Sequence, residues 1–263
     1  MNNALFRDLY DLQLRTSAEV DSASSYIRLG PLWLAKYPGQ GFITYRSIAP
    51  EVDLEALIGE ALAYFSADPS IEEVEWKTRQ HDDLPDISRL LVKYGFVFDE
   101  PETVMIGTVE SALRAGADLP TGYRLEKAEN EQDLREASAQ AGAVFGDSPE
   151  RTQRRCEELV ARANAEPDSF EMWLVRGPEG DVVCTGRVDF VAHTDFAGLW
   201  GGACNEAHRG QGIYRALTAQ RARSAQERGK KFLQVDCTEY SRPILQRAGL
   251  VPVTVTTPAI WTH

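Results

Sequence analysis

The chain has 263 residues, 43% hydrophobic and 26% charged, with a formal net charge of −12 at pH 7. That is the composition of an ordinary folded protein, long for one domain and comfortable for two. The acidic balance argues against a nucleic-acid partner or an anionic membrane surface, and would draw a cationic, amine-bearing substrate by long-range attraction.

Met1–Asp8 has no basic start followed by an apolar core, and no apolar run approaches membrane-spanning length, so a cytoplasmic location is expected. Leu5, Phe6, Leu9, Leu12 and Leu14 are spaced roughly as on a helix, and Asp53–Phe65 is a clearer one with Leu54, Leu57, Ile58, Ala61, Leu62 and Phe65 on one face. Between them a Pro38-Gly39 turn precedes a strand at Gly41–Arg46. Val74–Lys77 reads as a strand, Asp86–Tyr94 as a helix stopped by Gly95, and Phe96–Phe98 as another strand. Gly116, Asp118 and Pro120 then break the periodicity, which places a join between residues 1–117 and 118–263.

Past the join come a strand at Tyr123–Glu126, helices at Glu131–Phe145 and Glu150–Ala165, and strands at Met172–Val175 and Val182–Val188 around a Gly-Pro-Glu-Gly turn. Cys156, Cys184, Cys204 and Cys237 form no Cys-x-x-Cys pair, and the four His residues show no His-Glu-x-x-His spacing, so reduced thiols and no metal are expected.

The most informative run is His208-Arg209-Gly210-Gln211-Gly212-Ile213-Tyr214-Arg215. A small-residue strand, Ala197–Cys204, precedes it, and a Pro-free helix from Ile213 to Arg228, stopped by Gly229, follows. Glycines in such a loop let backbone N–H groups face an anion without Cβ interference, and the helix adds its free first-turn donors and positive end. The run is neither a P-loop nor a dinucleotide fingerprint, because Arg215 stands where a third glycine would be. A strand at Lys231–Asp236 and a short helix at Ser241–Ala248 complete the segment. Ile87–Val97 repeats Ser241–Val251 with Leu, a basic residue, Gly and Val in register and a Ser-Arg pair one place out, although no Arg-Gly-x-Gly loop precedes the first copy.

Arg209-x-x-Gly212-x-Tyr214 is similar to the Arg/Gln-x-x-Gly-x-Gly/Ala signature of the GCN5-related N-acetyltransferase (GNAT) superfamily, with Tyr214 departing at the last position. The resemblance implies an α+β fold with a mixed central sheet whose splayed strands are flanked by helices. The 118–263 copy would be complete and the 1–117 copy degenerate. It implies acetyl-CoA or another acyl-CoA as co-substrate, no metal, and a small-molecule amine acceptor attacking directly, with monomer and homodimer both open. The backbone of Cys204, Asn205 and Glu206 would pair with pantetheine. Arg209, Gly210, Gln211, Gly212, Ile213, Tyr214 and Arg215 would surround the pyrophosphate.

Amine acylation needs a proton acceptor and an acid for the departing thiolate. The family's usual acid position falls on Leu245 and a frequent base position on Gly198, neither of which can serve. Tyr240 is the preferred substitute acid, Glu239 a candidate base and Tyr214 a second phenol; against these stand a solvated carboxylate and packing phenols. The alternative function is a non-catalytic acyl-CoA-binding or regulatory module.

Overall fold

The computed structural model describes residues 3–262. In chain order it contains α1 (Asn3–Gln13), β1 (Ser25–Leu29), β2 (Leu32–Tyr37), β3 (Gln40–Tyr45), α2 (Leu54–Ser66), β4 (Glu73–Arg79), α3 (Ile87–Lys93), β5 (Val97–Phe98), β6 (Glu102–Thr108) and α4 (Val109–Arg114). These are followed by β7 (Arg124–Lys127), α5 (Glu131–Phe145), α6 (Pro149–Ala165), β8 (Phe170–Arg176), β9 (Val182–Phe190) and β10 (Phe196–Cys204). The last elements are α7 (Ile213–Glu227), β11 (Phe232–Cys237), α8 (Arg242–Arg247) and β12 (Val251–Thr262).

The chain divides into two compact units that do not follow its sequence halves. One holds the described residues up to Val104, Asp236–Glu239 and those from Pro252 onward; the other holds Met105–Val235 and Tyr240–Val251. The expected join at 117/118 rested on lost periodicity. In the structure the helix before it, α4, starts on Thr108, whose side chain accepts from Ser111 N, and belongs with the later unit. Each unit thus takes an element from the other sequence half: β12 goes to the first, the end of β6 and α4 to the second.

In the first unit the strand order is β1-β2-β3-β4-β12, with β5 also on β12. The β3–β4 pair is parallel from Gln40–Glu73 to Ile43–Trp76, and β12 runs antiparallel on β4 with Ala259 opposite Trp76. Asp53 caps α2 by accepting from Ala56 N. The α2 face of Leu57, Ile58, Ala61, Leu62 and Phe65 is buried, together with Leu34, Ile43 and Trp76. A Cβ on Gly41 would stand 2.7 Å from the Phe65 ring, so the missing side chain lets α2 close on β3.

In the second unit the order is β11-β10-β9-β8-β7, antiparallel except for the parallel β10–β11 pair. Successive residues of β9 address opposite faces. Thr185 donates to Gln140 of α5 at 2.7 Å, whereas a Cβ on Gly186 would meet the Arg221 guanidinium of α7 at 2.8 Å. Helices α5 and α7 therefore cover the two faces of one sheet.

The sequence repeat has a structural counterpart at the helix ends. Gly95 has φ +89° and Gly249 φ +87°. In the first copy Gly95 N donates to Val92 O and Phe96 N to Leu91 O; in the second Gly249 N donates to Gln246 O and Leu250 N to Leu245 O. Both helices close on a left-handed glycine that satisfies the last carbonyls in the same pattern.

Candidate functional site

Strands β10 and β11 pair only from Phe196–Phe232 to Gly198–Gln234, after which they part while β10 runs on to Cys204. Along its other edge β10 stays with β9 through a bulge: Trp200 faces Arg187 and Ala203 faces Thr185, so Gly201 and Gly202 oppose Gly186 alone. Gly201 has φ +59°, which favours glycine, and open space where a Cβ would be. The bulge thus lies on a strand edge whose β11 side is free of pairing.

Past β10 a single 3₁₀ turn at Glu206–His208 leads to Gly210 and Gly212, with φ +77° and +84°, and Gly212 caps α7 without any side-chain bond. The first helical bond is Ala216 N to Gly212 O. Among the described residues, the N–H groups of Gly210, Gln211, Gly212, Ile213, Tyr214 and Arg215 make no hydrogen bond. Such a set of free donors at a helix N-terminus suits a phosphate-bearing ligand. Tyr123 Oη shares a 2.8 Å bond with His208 Nδ1 and lies 3.4 Å from Gln211 Oε1, which steadies the loop from β7's side.

Cys204, Asn205 and Glu206 sit where the sequence reading put them, but much of their backbone is already used. Asn205 N donates to Val183 O at 2.8 Å, Asn205 O accepts from His208 N, and Glu206 O accepts from Arg209 N. Arg209 Nε donates to Cys204 O at 3.0 Å, leaving its terminal nitrogens exposed beside the loop, with Arg215 one turn on. Cys204 faces Cys184 across the β9–β10 ladder; the hydrogen bond between the two free thiols lowers the pKa of Cys204 and raises that of Cys184, and the Arg209 charge adds to the first effect.

The three catalytic candidates are not gathered in one place. Tyr240 is 89% exposed, with no hydrogen-bond partner among the described residues. Glu239 is exposed and accepts from Thr103 Oγ1 at 3.3 Å. Tyr214 is half-buried: its hydroxyl would stand 2.2 Å from a Cβ on Gly202, so the phenol lies against the bulge. Leu245 is fully buried, and the Trp200 indole fills the space above Gly198, where a Cβ would be 2.4 Å from its Nε1. His193 and Asp195 stand at the β9–β10 turn, at the far end of β10 from the loop.

Local patterns had not pointed to a buried relay on the α5 face. Gln140 Nε2 donates to Asn205 Oδ1 at 2.9 Å and its Oε1 accepts from Thr185, so one amide ties the start of the glycine loop to the strand beside the bulge. A buried glutamine on an otherwise apolar helix face was the available signal.

The corresponding places in the first unit are filled. The β3–β4 pairing ends at Ile43–Trp76, and beyond it the Arg15 guanidinium donates to Tyr45 O at 3.2 and 3.0 Å. Arg79 and Lys77 bind Glu19 at 2.5 and 3.1 Å, and Lys77 binds Asp236 at 2.6 Å. Burial would raise the Glu19 carboxyl, but the Arg79 and Lys77 charges hold it at about 2.

No protein-family profile matches the chain, and no curated protein matches it in sequence. Solved structures do resemble it. A GCN5-related N-acetyltransferase from Kribbella flavida is 16% identical with a TM-score of 0.69, over 98% of this chain and 95% of that one. A GCN5-related N-acetyltransferase from Sphaerobacter thermophilus is 16% identical with a TM-score of 0.64, over 88% and 76%. A tandem GNAT protein from the clavulanic acid biosynthesis pathway is 12% identical with a TM-score of 0.65, over 99% and 94%. At these identities the likeness is one of architecture, and the chain has the fold of the GCN5-related N-acetyltransferases over nearly its whole length.

Proposed function

We propose that the chain is an acyl-CoA-dependent N-acyltransferase that moves an acetyl group from acetyl-CoA to the amine of a small molecule. The observation that carries this is the row of unused N–H groups from Gly210 to Arg215, standing beyond the parted end of β10 and β11. The pyrophosphate would occupy those donors, with the Arg209 and Arg215 guanidinium groups beside it. Because Asn205 N and the carbonyls of Cys204, Asn205 and Glu206 are engaged, pantetheine would pair mainly with the free edge of β10 between Leu199 and Ala203. The thioester would then stand by the bulge.

There the amine nitrogen attacks the thioester carbonyl, its proton passes to water, and the C–S bond breaks as the Tyr214 hydroxyl protonates the thiolate. Backbone N–H groups of the bulge are suited to the carbonyl oxygen as negative charge develops on it. Tyr214 is preferred over Tyr240 because its hydroxyl lies against Gly202, whereas Tyr240 stands in solvent. The first unit would bind no acyl-CoA, since Arg15 and the Glu19 cluster occupy its parted strands and the Asp53 carboxylate occupies its helix N-terminus.

Burial of Leu245 and the filling of Gly198 by Trp200 favour one other reading, an acyl-CoA-binding module without turnover. The two readings separate when thiol release from acetyl-CoA is followed against a panel of small amines. Amine-dependent release supports the transferase. Saturable acetyl-CoA binding with no release across the panel supports the module.

A further inference from the structure

A small cavity of about 70 Å³ lies between α5, α6 and the sheet of the second unit, with Gly201 of the bulge in its wall. One water needs about 10–15 Å³ of such space, so the cavity has room for a small polar group such as a carboxylate. Guanidinium groups outnumber carboxylates around it. Asp147 is bound by both Arg151 and Arg155, at 3.4 and 2.8 Å, and Asp189 by both Arg162 and Arg187, at 2.7 and 2.6 Å. In the cavity wall itself two guanidinium groups, Arg155 and Arg187, therefore face one carboxylate, Asp147, in a chain whose net charge is −12.

Arg187 is the residue placed to use this excess. It lines the cavity and faces Trp200, the residue before the bulge, across the β9–β10 ladder. Its Nε is committed to Asp189 at 2.6 Å, while Nη1 and Nη2 make no hydrogen bond among the described residues. Arg155 reaches the same cavity from α6 with one nitrogen on Asp147, and Ser138 and Thr152 add hydroxyls. A guanidinium with two free parallel N–H groups matches a carboxylate or another planar or tetrahedral oxyanion.

We infer that the acyl acceptor is an amine that also carries an anionic group, most simply a carboxylate, held by Arg187 and Arg155 with its amine toward the bulge. This rests on the acyltransferase reading and narrows its substrate class; it replaces the cationic amine that net charge alone suggested. Long-range attraction acts over the whole surface, whereas the cavity sets which group is bound at contact.

The test measures acetyl-CoA-dependent kcat/KM of the full chain for acceptor pairs that differ only in the anion: glycine against glycinamide, and β-alanine against its amide. The amides have the less basic amine and so more neutral nucleophile, which means a preference for the acids cannot come from amine basicity. The acids should be favoured by about 10- to 100-fold, chiefly through KM, the scale of a hydrogen bond to a charged group. Arg187→Gln should remove most of that preference with acetyl-CoA affinity unchanged, and Arg187→Lys should restore part. Should Arg187→Gln fail to fold, Arg155→Gln reads the same loss from the second guanidinium. Normal acetyl-CoA binding with turnover only of amides or polyamines would overturn the anionic acceptor and leave the transferase standing. Absence of acetyl-CoA binding would overturn both.

Discussion

Asp53 and Gly212 hold the same position, the N-cap, on α2 and α7, and treat the helix end in opposite ways. The Asp53 carboxylate accepts from Ala56 N, so α2 carries its own anion; Gly212 offers no side chain and leaves the α7 donors free. A phosphate can be received only where the helix has not already supplied a carboxylate.

Asp53→Ala should therefore lower stability by about 1 kcal/mol, the usual worth of an N-cap. It should not create an acyl-CoA site, because Arg15 still holds Tyr45 O. Denaturant unfolding and an acetyl-CoA titration of the same variant check both halves of the statement.

Exchange of elements between the units bears on truncation. A fragment 118–263 lacks Met105, Ile106, Val109 and Ala112, all buried, and leaves the α7 side that meets α4 bare. It should be unfolded or aggregated, whereas a fragment 105–251 keeps the second unit whole and should give a cooperative thermal transition by circular dichroism. The reverse ranking would show that the unit boundaries are not those of stability.

Tyr214→Phe should lower turnover by roughly two to four orders of magnitude with acetyl-CoA affinity little changed, the scale of general-acid contributions. Tyr240→Phe should leave turnover within about threefold, since an exposed phenol contributes little packing and no positioned proton. Steady-state rates and calorimetric affinities of the two variants, measured side by side, decide between the phenols.

Glu75 gives the first unit a pH dependence. Burial pushes its carboxyl from 4.5 to about 7, against the Lys77 charge and helped by Glu102 and Asp236. Between those values the folded state binds the proton and the unfolded state does not, so this group's contribution falls as pH rises from 4.5 through 7. Glu75→Gln should thus be more stable relative to the parent at pH 8 than at pH 5, by at most roughly 3 kcal/mol and less for its partial exposure. Urea unfolding at the two pH values measures the difference.

Much of this fold was legible where the signal is local. The helix expected at Glu131–Phe145 has those limits as α5, and Gly249 marks the end of the short helix before β12. The hairpin of β1 and β2 has little signal beyond its Gly30-Pro31 turn, because β1 is an exposed edge without alternation. The pairing of β12 with β4 has no local signature at all, since Ala259 meets Trp76 across most of the chain length. In the site the glycine loop was readable from its spacing. The orientations of Tyr214, Trp200 and Arg187 depended on the bulge at Gly201–Gly202, which reads in sequence only as two small residues.

The central claim is that the Gly210–Arg215 donors receive the phosphates of acyl-CoA, and Gly212→Glu tests it most directly. At φ +84° a side chain costs about 1–2 kcal/mol, and its Cβ meets only Ala117 at 3.4 Å, so the fold should survive. Its carboxylate would stand at the helix N-terminus in place of the ligand's phosphate. Isothermal titration with acetyl-CoA should show saturable binding to the parent and a loss of at least about 100-fold in the folded variant, the size of a removed charge-assisted cluster. Unchanged affinity in a variant with the parent's circular dichroism would contradict the account.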